Sequence, residues 1–334
     1  MKEKTIFIGS AKVTFQKNDI AILSEQYDVK VLWFGTQNGI NILLNWLKQL
    51  FYLLLYLRTC KAVVIWFADS HSFFPCLLGR VFRKKTLLII GGYDAAKVPE
   101  YNYGVHLYPF RSWLARQSCK WATHILPVSE HTANQLKEHI STTDFSKIIV
   151  IPNGVSVSFF ENTSIPKQNI ITCIAAASDE RRMKIKGVDR FVELANQFPE
   201  YECRWIGCGD EKLVPTIPPN LKIYPLLSEQ ECAAHLGVSK MVAQLSRQEA
   251  FGLSILEGMA AGCIPIISTG NGLEEVVPEK LAILLDYSDL QKPDLKTWLD
   301  NYDSWIKNPI VKNKIDSLSL YQRKLKFITC IDSN

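Results

Sequence analysis

Short apolar runs recur along this chain, each followed by a longer helix-compatible stretch, and that alternation restricts its fold more than any other feature. In the first half the strand-like runs are Thr5–Gly9, Val29–Phe34, Ala62–Phe67, Thr86–Ile90, His124–Val128 and Lys147–Ile151. Between them lie Asp19–Gln26, Asn41–Leu57, Phe73–Phe82, Leu107–Lys120 and Glu130–Ile140, all compatible with helix. Strands made almost wholly of apolar residues are buried on both faces, and their alternation with helices makes the sheet parallel. The expectation is a doubly wound, Rossmann-like α/β domain over residues 1–151. Pro152-Asn153-Gly154 then breaks regular structure, and Asn162 to Gln168 is polar with a further proline, so 152–168 reads as a linker. The alternation restarts with strand Ile170–Ala175, helix Val188–Phe198, and strands Cys203–Ile206 and Leu221–Tyr224. Helix Glu229–Leu236 and strands Met241–Leu245, Cys263–Ile267 and Leu281–Leu285 complete it. A second Rossmann-like domain is expected over 169–334, ending in helices that pack across the domain pair. Two such domains in tandem should present their strand carboxyl ends to a shared cleft.

The chain's bulk properties fit this picture. Its 334 residues, 47% hydrophobic and 21% charged, suffice for two folded cores and exclude a disordered chain. A formal net charge of +5 suits an anionic ligand or an anionic membrane surface but falls short of a nucleic-acid footprint. The nine cysteines form no Cys-x-x-Cys pair and no zinc-spaced cluster, so a reducing, cytoplasmic setting without a structural metal is expected. The apolar run at Ile6 to Gly9 is too short for a signal peptide and reads as a first buried strand. Asn41 to Leu57 is apolar apart from Lys48 and a few amides. At 1.5 Å per residue it would span roughly 26 Å, a little short of a bilayer. It reads as a crossover helix, with a helix lying on a membrane surface and a true span as the alternatives.

The chemistry concentrates in Ser246–Gly262. It joins two apolar runs as strand, polar loop, helix, strand, with the helix start placed near Phe251-Gly252. The first amides of such a helix have no intrahelical acceptor and attract phosphate. Glu249 precedes the helix and Glu257 lies one to two turns inside it. One such glutamate need only complement the helix dipole. Two, with Phe-Gly between them, point to hydroxyls on either side of a phosphate group, which is the pattern of a nucleotide-sugar. A second phosphate candidate follows Ile170–Ala175, where Arg181, Arg182, Lys184 and Lys186 sit in a basic loop ending at Gly187. Cations there can neutralise a pyrophosphate and stabilise it as it departs. Gly207-Cys208-Gly209 is a third turn in the same layer.

These residues resemble the retaining glycosyltransferases of family 4, which have the GT-B fold. The E-x7-E signature of that family is similar to Glu249 through Glu257, continued by Gly258-Met259-Ala260-Ala261-Gly262. Its phosphate loop resembles Arg181 with Lys186-Gly187, with Arg182 as the alternative arginine. Pro152-Asn153-Gly154-Val155 and Thr269 to Val277 are similar to two further family segments, so the resemblance covers about 120–285. It implies that Glu257 accepts from the ribose and Glu249 from the transferred sugar. The amides of Phe251, Gly252 and Leu253 would hold the diphosphate, Ser254 belongs to the donor-binding set, and Arg181 and Lys186 would stabilise the diphosphate as leaving group. It implies no metal and no cofactor, the nucleotide-sugar being a substrate, and no Asp-x-Asp triplet occurs. The donor-binding set expected in this way includes Gly207 and Gly209.

The first domain departs from the family pattern. After the first strand it has Gly9-Ser10-Ala11-Lys12, with one glycine, and after the fourth it has Gly91-Gly92-Tyr93-Asp94 where a histidine is common. Acceptor-side candidates at strand ends are Asp69, His71, Tyr93 and Asp94, with His71 and Asp94 taken as catalytic. The resemblance implies transfer from a UDP- or GDP-sugar to an acceptor, and together with the basic charge and the apolar stretch 41–57 it points to a lipid-linked saccharide of surface-polysaccharide assembly. The expected location is cytoplasmic, with peripheral contact at the inner face of the membrane as the alternative. An inactive sugar-nucleotide-binding protein and a GT-B epimerase are the alternatives.

Overall fold

A computed structural model describes residues 2–34, 40–141, 143–160, 166–277, 279–286 and 293–333. The chain forms two compact units, Met1–Gly154 together with Leu320–Asn334, and Val155–Ser319. Both are α/β units built on a parallel sheet.

The first unit's sheet consists of β1 (Lys4–Gly9), β2 (Asp28–Trp33), β3 (Cys60–Trp66), β4 (Lys85–Ile90) and β5 (His124–Pro127), in the order β2-β1-β3-β4-β5. The apolar runs explain this placement. Ile6, Ile8, Val63, Ile65, Leu88 and Ile90 are all buried in one core, because inner strands of a parallel sheet are covered on both faces. The expected strand at Lys147–Ile151 does not form. That segment runs beside β5, where the amides of Ile149 and Ile151 donate to the carbonyls of Ile125 and Pro127 at 2.9 and 3.0 Å. Pro127 has no amide to return, so the ladder stops at an isolated bridge between Ile125 and Ile148.

The second unit's sheet consists of β6 (Gln168–Ala177), β7 (Glu202–Cys208), β8 (Leu221–Tyr224), β9 (Ser239–Gln244), β10 (Ile264–Ser268) and β11 (Ile283–Leu285). Their order is β11-β10-β9-β6-β7-β8, with every pairing parallel. The chain winds outward from β6 in one direction and from β9 in the other, so the topological switch point lies between β6 and β9. Ligands of open α/β sheets bind outside the carboxyl ends of the strands at such a point.

The domain boundaries differ from the sequence expectation at both ends. The second unit begins at Val155 rather than after 168, and helix Val157–Phe160 lies inside the expected linker, of which 161–165 fall outside the described residues. The last helix, Leu320–Asp332, belongs to the first unit, not to the second. Arg323, only 3% exposed, decides this. Its Nε and Nη2 donate to the two oxygens of Asp19 at 2.6 and 2.8 Å, and its Nη1 donates to the carbonyls of Ile151 and Pro152 at 2.9 and 2.7 Å. A guanidinium with four such acceptors is held where it lies. The preceding helices stay with the second unit, where Tyr302 donates to the Gly262 carbonyl at 2.7 Å and Trp305 to that of Leu281 at 2.9 Å. Among the described residues no helix is long and apolar enough to cross a membrane.

Candidate functional site

The segment after β6 is a helix, Glu180–Lys186, rather than the expected basic loop. Asp179 caps it by accepting from the Arg182 amide at 2.8 Å, which is why Ser-Asp-Glu at this point starts a helix. Gly187 ends it at φ +67° and starts the next helix, Val188–Gln197. Only glycine fits there, since an added Cβ would lie 1.8 Å from the Leu245 carbonyl oxygen. The β6 and β9 connections are therefore in backbone contact. Arg247 stitches them further, donating to both oxygens of Asp189 at 2.7 Å and to the Lys184 carbonyl at 2.6 Å.

Helicity separates the four cations. Arg181 and Arg182 are exposed near the start of the helix, with Arg181 Nε 4.0 Å from Asp179. Lys186, in the last turn, is the one that reaches Glu249, its Nζ lying 2.8 Å from Oε2. The structure thus joins Lys186 to Glu249 and places Arg181 with Asp179. The same oxygen of Glu249 accepts from Gln244 Nε2 and, at 3.4 Å, from Ser246 Oγ. Ser254, expected among the donor-binding residues, donates to Gln244 Oε1 at 2.6 Å, completing a chain Ser254–Gln244–Glu249. Gln244 and Ser246 went unnoticed in the sequence because a polar residue at the end of an apolar strand carries no spacing signature.

The helix after Glu249 is Leu253–Ala260, with Gly252 as its N-cap at φ +89°. Asp179, Ser228, Asp294 and Asn308 cap other helices of this unit with their side chains, but Gly252 has none to offer. The start of this helix thus has no side-chain cap, an arrangement that can accept an anion. Phe251 is buried and anchors the turn, and Leu253 is half-buried. The loop 269–277 backs the site. Gly272 donates to the Glu249 carbonyl at 3.0 Å, and Asn271 and Ser268 donate to that of Ser246 at 3.1 and 2.6 Å. Gly207 and Gly209 both lie where the backbone packs closely. An added Cβ would lie 2.7 Å from the Ala175 oxygen at Gly207 and 2.8 Å from the Ser178 Cα at Gly209.

Glu257 is partly buried, and burial, reinforced by the nearby Glu229 carboxylate, pushes its carboxyl up to about 8. The folded state thus favours the neutral form, so this group lowers stability progressively as pH rises from about 4.5 to about 8 and by a constant amount above that. Glu257→Gln should therefore stabilise the protein by about 1–3 kcal/mol at pH 9 and by almost nothing at pH 4. The figure follows from ~1.4 kcal/mol for each tenfold change in proton affinity, reduced because solvent reaches part of the side chain. Chemical denaturation across that range checks this, and a gain independent of pH would refute the assignment. Hydroxyls that donate to the carboxylate would favour its ionised form.

In the first unit the acceptor-side candidates separate. His71 is 4% exposed, its Nε2 donates to the Trp66 carbonyl at 2.7 Å, and burial lowers its basicity. Asp94 is buried too, its oxygens accepting from the amides of Ala68, Gly91 and Gly92 at 2.8–2.9 Å. Burial raises its carboxyl to about 7 against the pull of those amides. Asp94 ties the β3 and β4 loops together. Asp94 is thus engaged by the amides of both loops, whereas the Nδ1 of His71 has no hydrogen-bond partner among the described residues. Asp69 and Tyr93 instead converge on Arg111, which sequence reading missed. Arg111 pairs with both Asp69 oxygens and donates to Tyr93 Oη at 3.3 Å. It also lies over the rings of Tyr93 and Tyr108. Nothing in the spacing of 69, 93 and 111 foretells that the β3 and β4 ends meet one helix.

Residues 23–159 match the family model Glycosyltransferase Family 4, and residues 158–291 match Glycosyl transferases group 1. Among solved structures, sucrose-phosphate synthase from Thermosynechococcus elongatus superposes with a TM-score of 0.78 at 13% identity, covering 98% of this chain and 97% of that one. HepE from Anabaena in complex with UDP gives 0.75 at 13%, covering 100% of both chains. A glycosyltransferase from Rickettsia africae gives 0.69 at 16%, covering 100% of this chain and 99% of that one. No curated protein matches the sequence significantly. The shared architecture is two parallel-sheet Rossmann-like units, the GT-B fold.

Proposed function

Since the chain belongs to the glycosyltransferases of family 4 and group 1, matched successively along it, we propose that it transfers a sugar from a UDP- or GDP-sugar with retention and without a metal. The observation that carries this reading is the pairing of Lys186 with Glu249 beside an uncapped helix start at the switch point. The amides around Gly252 and the Lys186 ammonium suit a diphosphate, whose charge grows as the sugar leaves. Glu249 on one side would accept from sugar hydroxyls, and Glu257, further along the helix, from the ribose. In the reaction the bond from the anomeric carbon to the β-phosphate oxygen breaks. A bond to the acceptor oxygen forms on the same face, and the acceptor proton passes to the departing phosphate. Every cation invoked belongs to the chain itself, which is why no metal is included.

The donor class is supported by HepE, whose structures are described as complexes with UDP and with UDP-glucose. For the acceptor we favour a lipid-linked saccharide of surface-polysaccharide assembly, on the basis of the apolar helix Ile40–Tyr56 and the mildly basic charge. Calorimetry with a panel of UDP- and GDP-sugars tests the donor side. The expected result is binding of one nucleotide class, strengthening as pH rises through about 8 and losing that pH dependence in Glu257→Gln. Failure of every nucleotide-sugar to bind would remove the donor assignment.

A further inference from the structure

In the first unit the helix Ile40–Tyr56 turns an apolar face outward. Leu43, Leu44, Leu47, Phe51, Leu54 and Leu55 are each more than half exposed. At about 100° per residue they occupy roughly a third of the helix circumference, with Lys48 and Tyr52 along one border. The rotation of the helix is fixed from behind, where Leu53 is buried, Trp46 Nε1 donates to the Ser70 carbonyl at 2.9 Å and Gln49 to that of His71 at 2.6 Å. A contiguous apolar surface of this kind marks a contact with another phase or molecule.

Two features adjoin it. The first is an aromatic ladder in which Trp46 stacks on Phe73 at 6.2 Å, and Phe73 meets Trp113 at 5.6 Å and Trp121 at 5.1 Å. Trp113 in turn stacks on Phe110, and both are largely exposed. The second is a pocket of about 510 Å³, lined by Trp121 with Arg80, Arg83, Lys84, Lys85 and Lys147, and containing no carboxylate among its lining residues. The hydrogen bonds of those lysines go to carbonyls, and the carboxylates nearest to them, Asp332 beside Lys85 and Asp144 beside Lys147, lie outside the pocket lining. Lys84 donates to Arg58 and Cys60, Lys85 to Ile331 and Lys147 to Lys120. Because Arg58 follows directly on the apolar helix, the end of that helix abuts the basic pocket.

We propose that this face is a docking surface for an anionic lipid bilayer. The helix lies in the membrane plane with its leucines and Phe51 in the acyl boundary, Trp113 and Tyr52 sit at headgroup level, and the Arg80/Arg83 pocket receives headgroup phosphates. A second copy of the chain fits less well, since a two-fold contact through this face would bring two carboxylate-free basic pockets together. The surface belongs to the first unit alone, and its assignment does not rest on the donor reading or on a lipid-linked acceptor.

Flotation of the full-length protein with vesicles tests it. Vesicles of phosphatidylcholine containing about a third phosphatidylglycerol should carry the protein, while pure phosphatidylcholine should carry at least tenfold less. Leu47→Glu/Phe51→Glu should lower binding to the anionic vesicles by more than tenfold while leaving the circular dichroism unchanged, because both side chains are exposed. Arg80→Ala/Arg83→Ala should lower it by roughly 25-fold, at about fivefold per cation, and should remove most of the preference for the anionic lipid. No flotation with either vesicle, or anionic binding unchanged in both variants, would overturn the proposal. So would light scattering that shows a dimer dissociated by Leu47→Glu/Phe51→Glu, which would assign the face to a second copy.

Discussion

Arg323→Leu should lower the stability of the first unit by about 3–5 kcal/mol, the cost of breaking a buried ion pair by removing one partner. Arg323 and Asp19 have side chains only 2% and 1% exposed. Without the guanidinium, Asp19 keeps only the indole of Trp66, whose Nε1 donates to it at 2.8 Å. The carbonyls of Ile151 and Pro152 lose the donor they share, and the packing of the guanidinium over Phe327, 4.7 Å from the ring centroid, is lost as well. The double variant Asp19→Leu/Arg323→Leu should recover much of the loss, because replacing both charges leaves no uncompensated carboxylate. Urea denaturation followed by tryptophan fluorescence measures both. A loss below about 1 kcal/mol in the single variant, or none recovered in the double, would contradict this account of how the last helix is held. Truncation after Ser319 should have a larger effect in the same direction, since it also removes the fully buried Phe327 from the first unit.

Lys186→Ala should reduce turnover by about 10²–10³-fold, the usual effect of removing one group that stabilises developing charge, while weakening nucleotide binding by less than about tenfold. Lys186 also holds Glu249, so a loss of activity alone would not separate the two roles. The double variant with Glu249→Gln does. If Lys186 only orients Glu249, adding Lys186→Ala to Glu249→Gln should change nothing further. If it stabilises the leaving diphosphate, the double variant should fall well below either single one. Turnover within about threefold of the parent in Lys186→Ala would remove it from the mechanism.

Both effects depend on contacts that sequence alone could not supply. Alternation of apolar strands with helical stretches is a local property, since each strand run is buried on both faces whatever its neighbours. It therefore determined two parallel-sheet units and placed Glu249 and Glu257 around a helix start. It overreached at Lys147–Ile151, where a proline in the partner strand ends the ladder, and at Ser178–Gly187, where an Asp179 cap turns a basic loop into a helix.

Which cation meets Glu249 was settled by three-dimensional packing. Four basic residues look equivalent on paper, but a helix turns Arg181 and Arg182 outward and leaves Lys186 at the end, where Gly187 lets it rest against the strand opposite. Similarly, His71 and Asp94 both stand at strand ends, but only packing shows that Asp94 holds the amides of two loops while His71 engages the Trp66 carbonyl through one ring nitrogen. Partnership between residues distant in sequence is a property of the sheet order, and the order β11-β10-β9-β6-β7-β8 brings the β6 and β9 connections together. The sequence determined that a helix start lies between two carboxylates in the second unit, because that pattern is written in consecutive residues. Tertiary structure decided the membership of the candidate site and sent the last helix to the first unit, because a buried arginine goes where its acceptors converge.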